Sequence, residues 1–543
     1  MTWRRATTLD ELERRGALVF KHERFQLAIL QSQGRCYAVD NRCPHEGYPL
    51  SQGTVDGCVL TCNWHNWKFD LESGRNLSAG DHLRCYPLEL REGSGGETEL
   101  WVDLSEPPPE QIRAAALAGL REAFDDRDHG FMARQLARLV AAGFDPAAEA
   151  LPLAISWVAP RLEWGMTHGI PTTADWLELH DSRTGEGGEQ REARLVMLCE
   201  ALEHMAQDGL REPERPFPAP LEVEGFDEAA FLAEVEAEDE AAIARIRGAL
   251  QAGLDFAALE PALARAALSH YMGFGHALIY VCMVGRLIAR LGPTVADPAL
   301  SALVRNFVHA TREDLIPEFR PLAAAVEAFE PVATSGPAIE VQAIEDLLTQ
   351  PLRGAFEWVQ TRVRDHGITA TWEALMHASA LSMLRFDTRY EHAITAKVDD
   401  NVGWLDFSHA LTFGRAVRIQ CSRDPSLWGR GLLQMACFVA RNRRYRLSPS
   451  DPAAVELERW GQVEADALFA DVEAQLLDHD SSLPIYPAHL LKTTRAVAGE
   501  LEHVGPAAAR AMLAALDRFV HTRLRQRHGR RDVVQALALI GLD

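Results

Sequence analysis

Basic residues are scarce in this 543-residue chain: 55 Lys and Arg stand against 78 Asp and Glu, a net charge of −23. So acidic a surface argues against nucleic acid and anionic membranes as partners and favours a basic redox partner. One basic stretch exists, RFVHTRLRQRHGRR (518–531), and it reads most simply as a solvated last helix with cations near its C-terminus. Long apolar runs are also missing. GHALIYVCMVGRLIARLG is interrupted by Arg286 and Arg290, so no membrane span is expected. The opening MTWRRATTLDELERRG has no apolar core of the kind a signal peptide needs. Cysteine is sparse, nine residues spread over the chain, an odd number that suits a reduced cytoplasmic protein better than a disulfide framework.

What is present is the composition of a folded protein, 47% apolar and 24% charged, in a chain too long for one ordinary core. Its texture changes once. Residues 1–104 hold short β-branched and aromatic segments, LVFKHERFQLAIL, GRCYAVDN, GCVLTCN, WKFDLES and ELWVDL, separated by Gly, Asn and Asp turns. SEPPPEQ (105–111) reads as a linker. From 112 to 543, segments such as ARQLARLVAAGF, EARLVMLCEALEHMA and AARAMLAALDRFVHTRL carry apolar residues at helical spacing. REPERPFPAPLE, FEPVATSGP and SSLPIYP cut that region into blocks. The expectation is a multidomain chain, an all-β domain over 1–104 followed by a large all-α domain over 112–543 that holds the substrate.

Within the β part, CPHEGYPLSQG (43–53) and CNWHNWKFD (62–70) each bring one cysteine and one histidine. Zinc could take such a Cys2His2 set, but finger-type spacing would pair cysteine with cysteine and histidine with histidine. One Cys and one His per loop suits a two-iron cluster in which one iron takes both thiolates and the other both imidazoles. The two loops, with SGR (73–75) and the closing LWVDL, resemble the ferredoxin-type Rieske [2Fe-2S] domain. That resemblance implies a [2Fe-2S] cluster, Cys43 and Cys62 on the inner iron and His45 and His65 on the outer, solvent-facing one. It also implies shielding of the cluster by Trp64 and Trp67. The family usually has Pro after the second Cys and Gly after the second His. Here Asn63 and Asn66 stand there, and Asn is the next best residue for a left-handed backbone. Positions 46–48 and 63–64 lack the extra cysteines of high-potential members, which implies a lower-potential cluster. Cys36, Cys58 and Cys85 read as buried small residues.

A cluster moves single electrons, so the helical region is expected to hold what receives them. Ring-hydroxylating oxygenases need a His-x4-His pair and a carboxylate, and no such pair exists. A di-iron bundle needs two Glu-x-x-His units, and only Glu500–His503 is present. His168 with His180-Asp181 is a short match to an HD-type site. What remains is histidine density. His168, His270, His276, His309, His377, His392 and His409 sit among apolar or small residues, where an imidazole needs a partner. Each one alone is more often a satisfied core residue than a ligand. His270 and His276, about 240° apart on a helix, cannot both face one point from it. FGHALIY (274–280) and FSHALTF (407–413) share five positions, by chance or through a duplicated helix. WGMTHGIPTTADWL (164–177) and WLDFSHALTFGRAVR (404–418) resemble questin oxidase-like proteins, helical oxidoreductases linked to ring-opening oxidation of polyketide quinones. A second histidine expected shortly after His409 is absent, and Arg415 stands near its place. The leading expectation is a cytoplasmic oxygenase. A ferredoxin or NAD(P)H-dependent reductase reduces the cluster. Electrons then pass, within a chain or across a homo-oligomer, to a non-haem iron held by His276 and His409 with His168, His270 or His309. The substrate is a hydrophobic or aromatic small molecule. The alternative is a redox sensor or electron carrier whose helices bind a partner.

Overall fold

The computed structural model describes residues 2–542 except 186, 211, 223, 224, 332–335 and 449. It forms two compact units, Met1–Ala150 and Leu151–Asp543.

The first unit contains nine strands: β1 (Trp3–Thr8), β2 (Ala17–His22), β3 (Phe25–Ser32), β4 (Arg35–Asp40), β5 (Thr54–Asp56), β6 (Val59–Thr61), β7 (Lys68–Asp70), β8 (Leu88–Glu92) and β9 (Thr98–Asp103). They make three antiparallel sheets ordered β1-β9-β8, β2-β3-β4 and β5-β6-β7. Ser32 pairs with Arg35 across a two-residue turn, and both turn residues, Gln33 (φ 51°) and Gly34 (φ 75°), take the positive φ that such a hairpin requires. Strand β3 is apolar on both faces, and the two-residue alternation divides it between two cores. Ala28 and Leu30 face one core with Leu50, Leu60, Phe69, Cys43 and Cys62. Leu27 and Ile29 face the other with Leu12, Leu100 and Val102. The thiols expected to hold the cluster are therefore part of a packed interior.

A short helix, Leu9–Arg15, interrupts the strands, and two more follow them. Pro109–Asp126 opens on a proline, whose missing N–H costs nothing in a first turn. His129–Ala141 is capped by Asp128, which accepts from the Phe131 N–H at 2.8 Å. The strands end at Asp103, whereas the compact unit runs on to Ala150 and the stretch 105–111 ends inside the first of these helices.

The second unit is built of helices. Four matter for the site: Gly169–Ser182, His276–Leu291, Trp404–Arg423 and Ile485–Glu500. The longest helical span, Leu352–Leu384, is broken by Gly367 (φ 84°) into two helices. Residues 212–222 have no regular structure, and the breaks REPERPFPAPLE and FEPVATSGP fall partly outside the described residues. The basic stretch 518–531 corrects the expectation of a solvated last helix. Arg518 and Arg531 are buried, and Arg518 donates to the carbonyls of Leu384 and Phe386. Arg531 serves Tyr390, Glu391 and Ala393 in the same way. Carbonyls left free at chain ends and turns recruit these cations inward. No helix of the described residues is long and apolar enough to cross a membrane.

Candidate functional site

The two cysteine–histidine loops have one backbone design. The Cys43 N–H donates to the Tyr48 carbonyl at 2.9 Å, and the Gly47 N–H donates back to the Cys43 carbonyl at 2.8 Å. In the second loop Cys62 donates to Trp67 at 2.8 Å and Asn66 to Cys62 at 2.9 Å. The turn residue is left-handed in both, Gly47 at φ 75° and Asn66 at φ 60°. Asn66 thus fills the glycine conformation with a side chain attached. Asn63 fastens the second loop: its Nδ2 donates to the Gln52 carbonyl at 2.8 Å and its Oδ1 accepts from the Thr54 hydroxyl at 2.9 Å.

Cys43 and Cys62 are buried, 3% and 1% exposed, and burial first, then each other's presence, pushes the Cys43 thiol up to about 11. His45 and His65 are exposed, and their Nδ1 atoms lie 3.0 Å apart. A single tetrahedral ion would draw all four ligand atoms close together. Among the described residues, the atoms gathered within 4.8 Å here are those of His45, Glu46 and His65, without either thiol. An inner thiol pair and an outer imidazole pair, held apart, fit a two-metal cluster and not one zinc. Trp67 stacks on His45, centroids 4.6 Å apart and planes 15° from parallel. Trp64 is 61% exposed; it stacks on Tyr48, meets the His65 ring edge-on with centroids 5.7 Å apart and donates to Glu46. Cys36, Cys58 and Cys85, expected to be buried, are half-buried instead.

In the helical unit, four histidines from four separate helices meet. His168 precedes Gly169–Ser182, His276 begins its helix, and His409 and His489 sit inside Trp404–Arg423 and Ile485–Glu500. One nitrogen from each lies within 4.8 Å of the others. His276 Nε2 is 3.0 Å from His168 Nε2, and His489 Nε2 is 3.1 Å from His409 Nε2. The second nitrogens fix the tautomers. His409 Nδ1 donates to the Leu405 carbonyl and His489 Nδ1 to the Ile485 carbonyl, at 2.5 and 2.7 Å, while His276 bonds the Gly273 backbone. A carbonyl only accepts, so His409 and His489 carry the proton on Nδ1 and present bare Nε2 lone pairs to each other. Such lone pairs repel unless a cation lies between them, and the orienting carbonyls are the partners that metal-bound imidazoles use. Burial, reinforced by the nearby Lys492 and by neighbouring rings, holds all four well below the usual histidine range, His276 at about 3. They are neutral at pH 7, the state in which imidazole binds a metal.

His168, His276 and His409 are thus brought together. His270 and His309 are not. His270 lies between Glu236 and Glu313, 2.8 and 3.2 Å away, and His309 packs on Trp164 beside Glu240. His180 is engaged by its neighbour Asp181, which Arg290 also holds, and Glu500 is taken by Arg418. His489 went unread in the sequence. Its setting, IYPAHLLKTT, has the same signal as the others, a histidine inside an apolar helix.

One turn further along three of these helices stand Ile279, Thr412 and Lys492, and all three line a cavity of about 330 Å³. Phe256, Met283 and Ala416 give it apolar wall, and Asp175, Arg286 and Gln420 give it polar groups. Lys492 is 2% exposed with no partner for its Nζ, and burial, opposed by Asp175, lowers it to about 7. Asp175 uses one carboxylate oxygen on Arg286 and leaves the other unpaired.

Fold and loops together define an iron–sulfur electron-transfer domain. The Rieske [2Fe-2S] domain model matches residues 2–87. The ferredoxin component of the naphthalene 1,2-dioxygenase system of Pseudomonas aeruginosa is 31% identical over 105 residues, 19% of this chain and 96% of that protein. The biphenyl dioxygenase ferredoxin subunit of Pseudomonas sp. (strain KKS102) is 31% identical, with 17% and 85% covered. The 4beta-methylsterol monooxygenase of Methylococcus capsulatus is 39% identical over 71 residues, 11% of this chain and only 19% of that enzyme's length. Among solved structures, NdmA of Pseudomonas putida CBB5 with caffeine is 26% identical, covers 19% of this chain and 33% of its own, and has a TM-score of 0.17. These likenesses concern the N-terminal domain. The chain belongs to the Rieske [2Fe-2S] family through that domain. The domain implies a [2Fe-2S] cluster and electron transfer through it, and the thiol and imidazole pairs described above fit that cluster.

Proposed function

We propose that the protein is an oxygenase with two metal centres. Cys43, Cys62, His45 and His65 hold the [2Fe-2S] cluster, and His168, His276, His409 and His489 hold a non-haem iron in the helical domain. Bound there, the cluster supplies single electrons and the iron supplies the centre at which dioxygen is spent. The observation that carries the reading is the convergence of four neutral imidazoles, three of them oriented by backbone carbonyls, beside a mixed apolar and polar cavity.

The residues' own parts follow. The Leu405, Ile485 and Gly273 backbone groups hold the imidazoles in one tautomer, so that nitrogen lone pairs converge without rearrangement. Phe256, Ile279 and Met283 take the apolar body of a small, aromatic substrate. Near neutrality Lys492 can hold or release a proton at Nζ, and Asp175 and Gln420 can orient a substrate oxygen. A ferredoxin or NAD(P)H-dependent reductase is the electron donor, and the acidic surface favours a donor with a basic face.

Iron content tests this. Protein purified without oxygen should carry a Rieske electron paramagnetic resonance signal and iron clearly above two per chain. His409→Ala and His489→Ala should each return the count to two and leave that signal unchanged. Two irons in the parent protein would leave an electron carrier or sensor. Zinc without a Rieske signal would remove the first step.

A further inference from the structure

The second of the two helices that follow the strands, His129–Ala141, closes on a single buried carboxylate. Asp81 is 1% exposed. Arg138 reaches it with both terminal nitrogens, at 2.7 and 2.8 Å; Arg134 Nε lies at 2.8 Å and Gln135 Nε2 at 3.3 Å. The His82 N–H adds a fifth donor at 2.9 Å. Three side chains on one helix converging on one buried acid make a directional anchor, because charge-assisted and bidentate bonds combine on a single carboxylate. The anchored turn is itself rigid. Asn76 donates from Nδ2 to the carbonyls of Ala79 and Asp81.

What this turn presents is Gly80. Its φ is 86°, and a β-carbon there would stand 2.6 Å from the Trp67 ring, so only the bare backbone fits this close to the indole. The same indole packs on Phe69, centroids 6.3 Å apart, and stacks on His45 at 4.6 Å. A continuous line of contact therefore runs from the His129–Ala141 helix through Asp81, Gly80 and Trp67 to an outer cluster ligand.

We propose that Asp81 is a positioning residue for His45: by fixing Gly80 it presses Trp67 onto the imidazole and keeps water from that face. The hydration and orientation of the ligand histidine, and with them the redox properties of the site, are then set by a helix outside the strands. Ring packing and local polarity around ligands are among the levers that tune such centres.

The test uses the full-length protein. Asp81→Asn keeps the shape and removes the charge. Arg134→Gln removes one donor and leaves the bidentate pair, which guards against a misfolded first variant. Trp67→Leu removes the intermediary. Reduction potential is read by voltammetry. Exchangeable deuterons near the reduced cluster are read by pulsed electron paramagnetic resonance after transfer to D2O. All three variants should shift the potential in the same direction and increase the deuteron couplings, with Arg134→Gln the smallest. Arg91→Met, on the distant β8, should change neither. Variants that lose cluster but whose remaining clusters keep the parent potential and couplings would show that Asp81 is structural only. A shift in Asp81→Asn with none in Trp67→Leu would overturn the route through the indole.

Discussion

Asn66 shows how one residue can depart from a family pattern and keep its geometry. The turn needs a left-handed backbone, which costs an ordinary L-residue about 1–2 kcal/mol and asparagine less, because its short amide bonds locally. Asn66→Ala should therefore lower stability by about 1 kcal/mol, and Asn66→Gly should match or slightly exceed the parent. Loss of visible cluster absorbance along a denaturant series reads both. His270 is a second case. Bonding to Glu313, together with Glu236 and against the opposing effect of burial, raises it to about 9. A pKa raised in the folded state stabilises fully below the unfolded value of about 6.5 and is lost as pH climbs through 9. The denaturation midpoint should fall between pH 6.5 and 9, and His270→Gln should flatten that part of the profile. A profile as steep in the variant as in the parent would show that His270 is not the group responsible.

Between elements, close approach decides whether the histidines meet. Gly275 precedes the His276 helix with φ 74°, and a β-carbon there would stand 2.4 Å from the Phe413 ring of the His409 helix. Gly275→Ala should push the two helices apart, cost about 1–3 kcal/mol by overpacking and strain, and release metal from the histidine cluster. Metal analysis should show iron falling towards two per chain while the Rieske spectrum persists. This contact also explains what the sequence could and could not disclose. Cys43, His45, Cys62 and His65 come from two short loops with a local backbone rule, so spacing alone carried the pattern. His168, His276, His409 and His489 come from four helices separated by scores of residues, and each looks like any histidine in an apolar setting. The shared Phe-x-His-Ala-Leu-x-aromatic stretches put His276 and His409 at matching places, and the rings lie 4.4 Å apart. That the four converge depends on helix packing, which local periodicity does not encode. Nor does it show that His270, equally apolar in context, is drawn off by two carboxylates.

At the scale of the whole molecule, the question is where the electron-transfer unit ends. Texture places the change at residue 104, but the interior of the first unit is completed by groups beyond it. Asp81, Phe131 and Gln135 are each about 1% exposed, and the carboxylate's donors Arg134, Gln135 and Arg138 all come from after the strands. A chain cut at 104 leaves the 78–82 turn without its anchor and exposes the faces on which the two helices pack. Burial there, at about 25 cal/mol per Å² of apolar surface, is a sizeable part of the stability of so small a domain. A fragment of residues 1–150 should therefore fold with its cluster and show the full-length Rieske spectrum. A fragment of residues 1–104 should hold the cluster less firmly and lose it at lower temperature. Equal thermal loss of absorbance in the two fragments would mean that the helices are passengers on a domain already complete at its last strand.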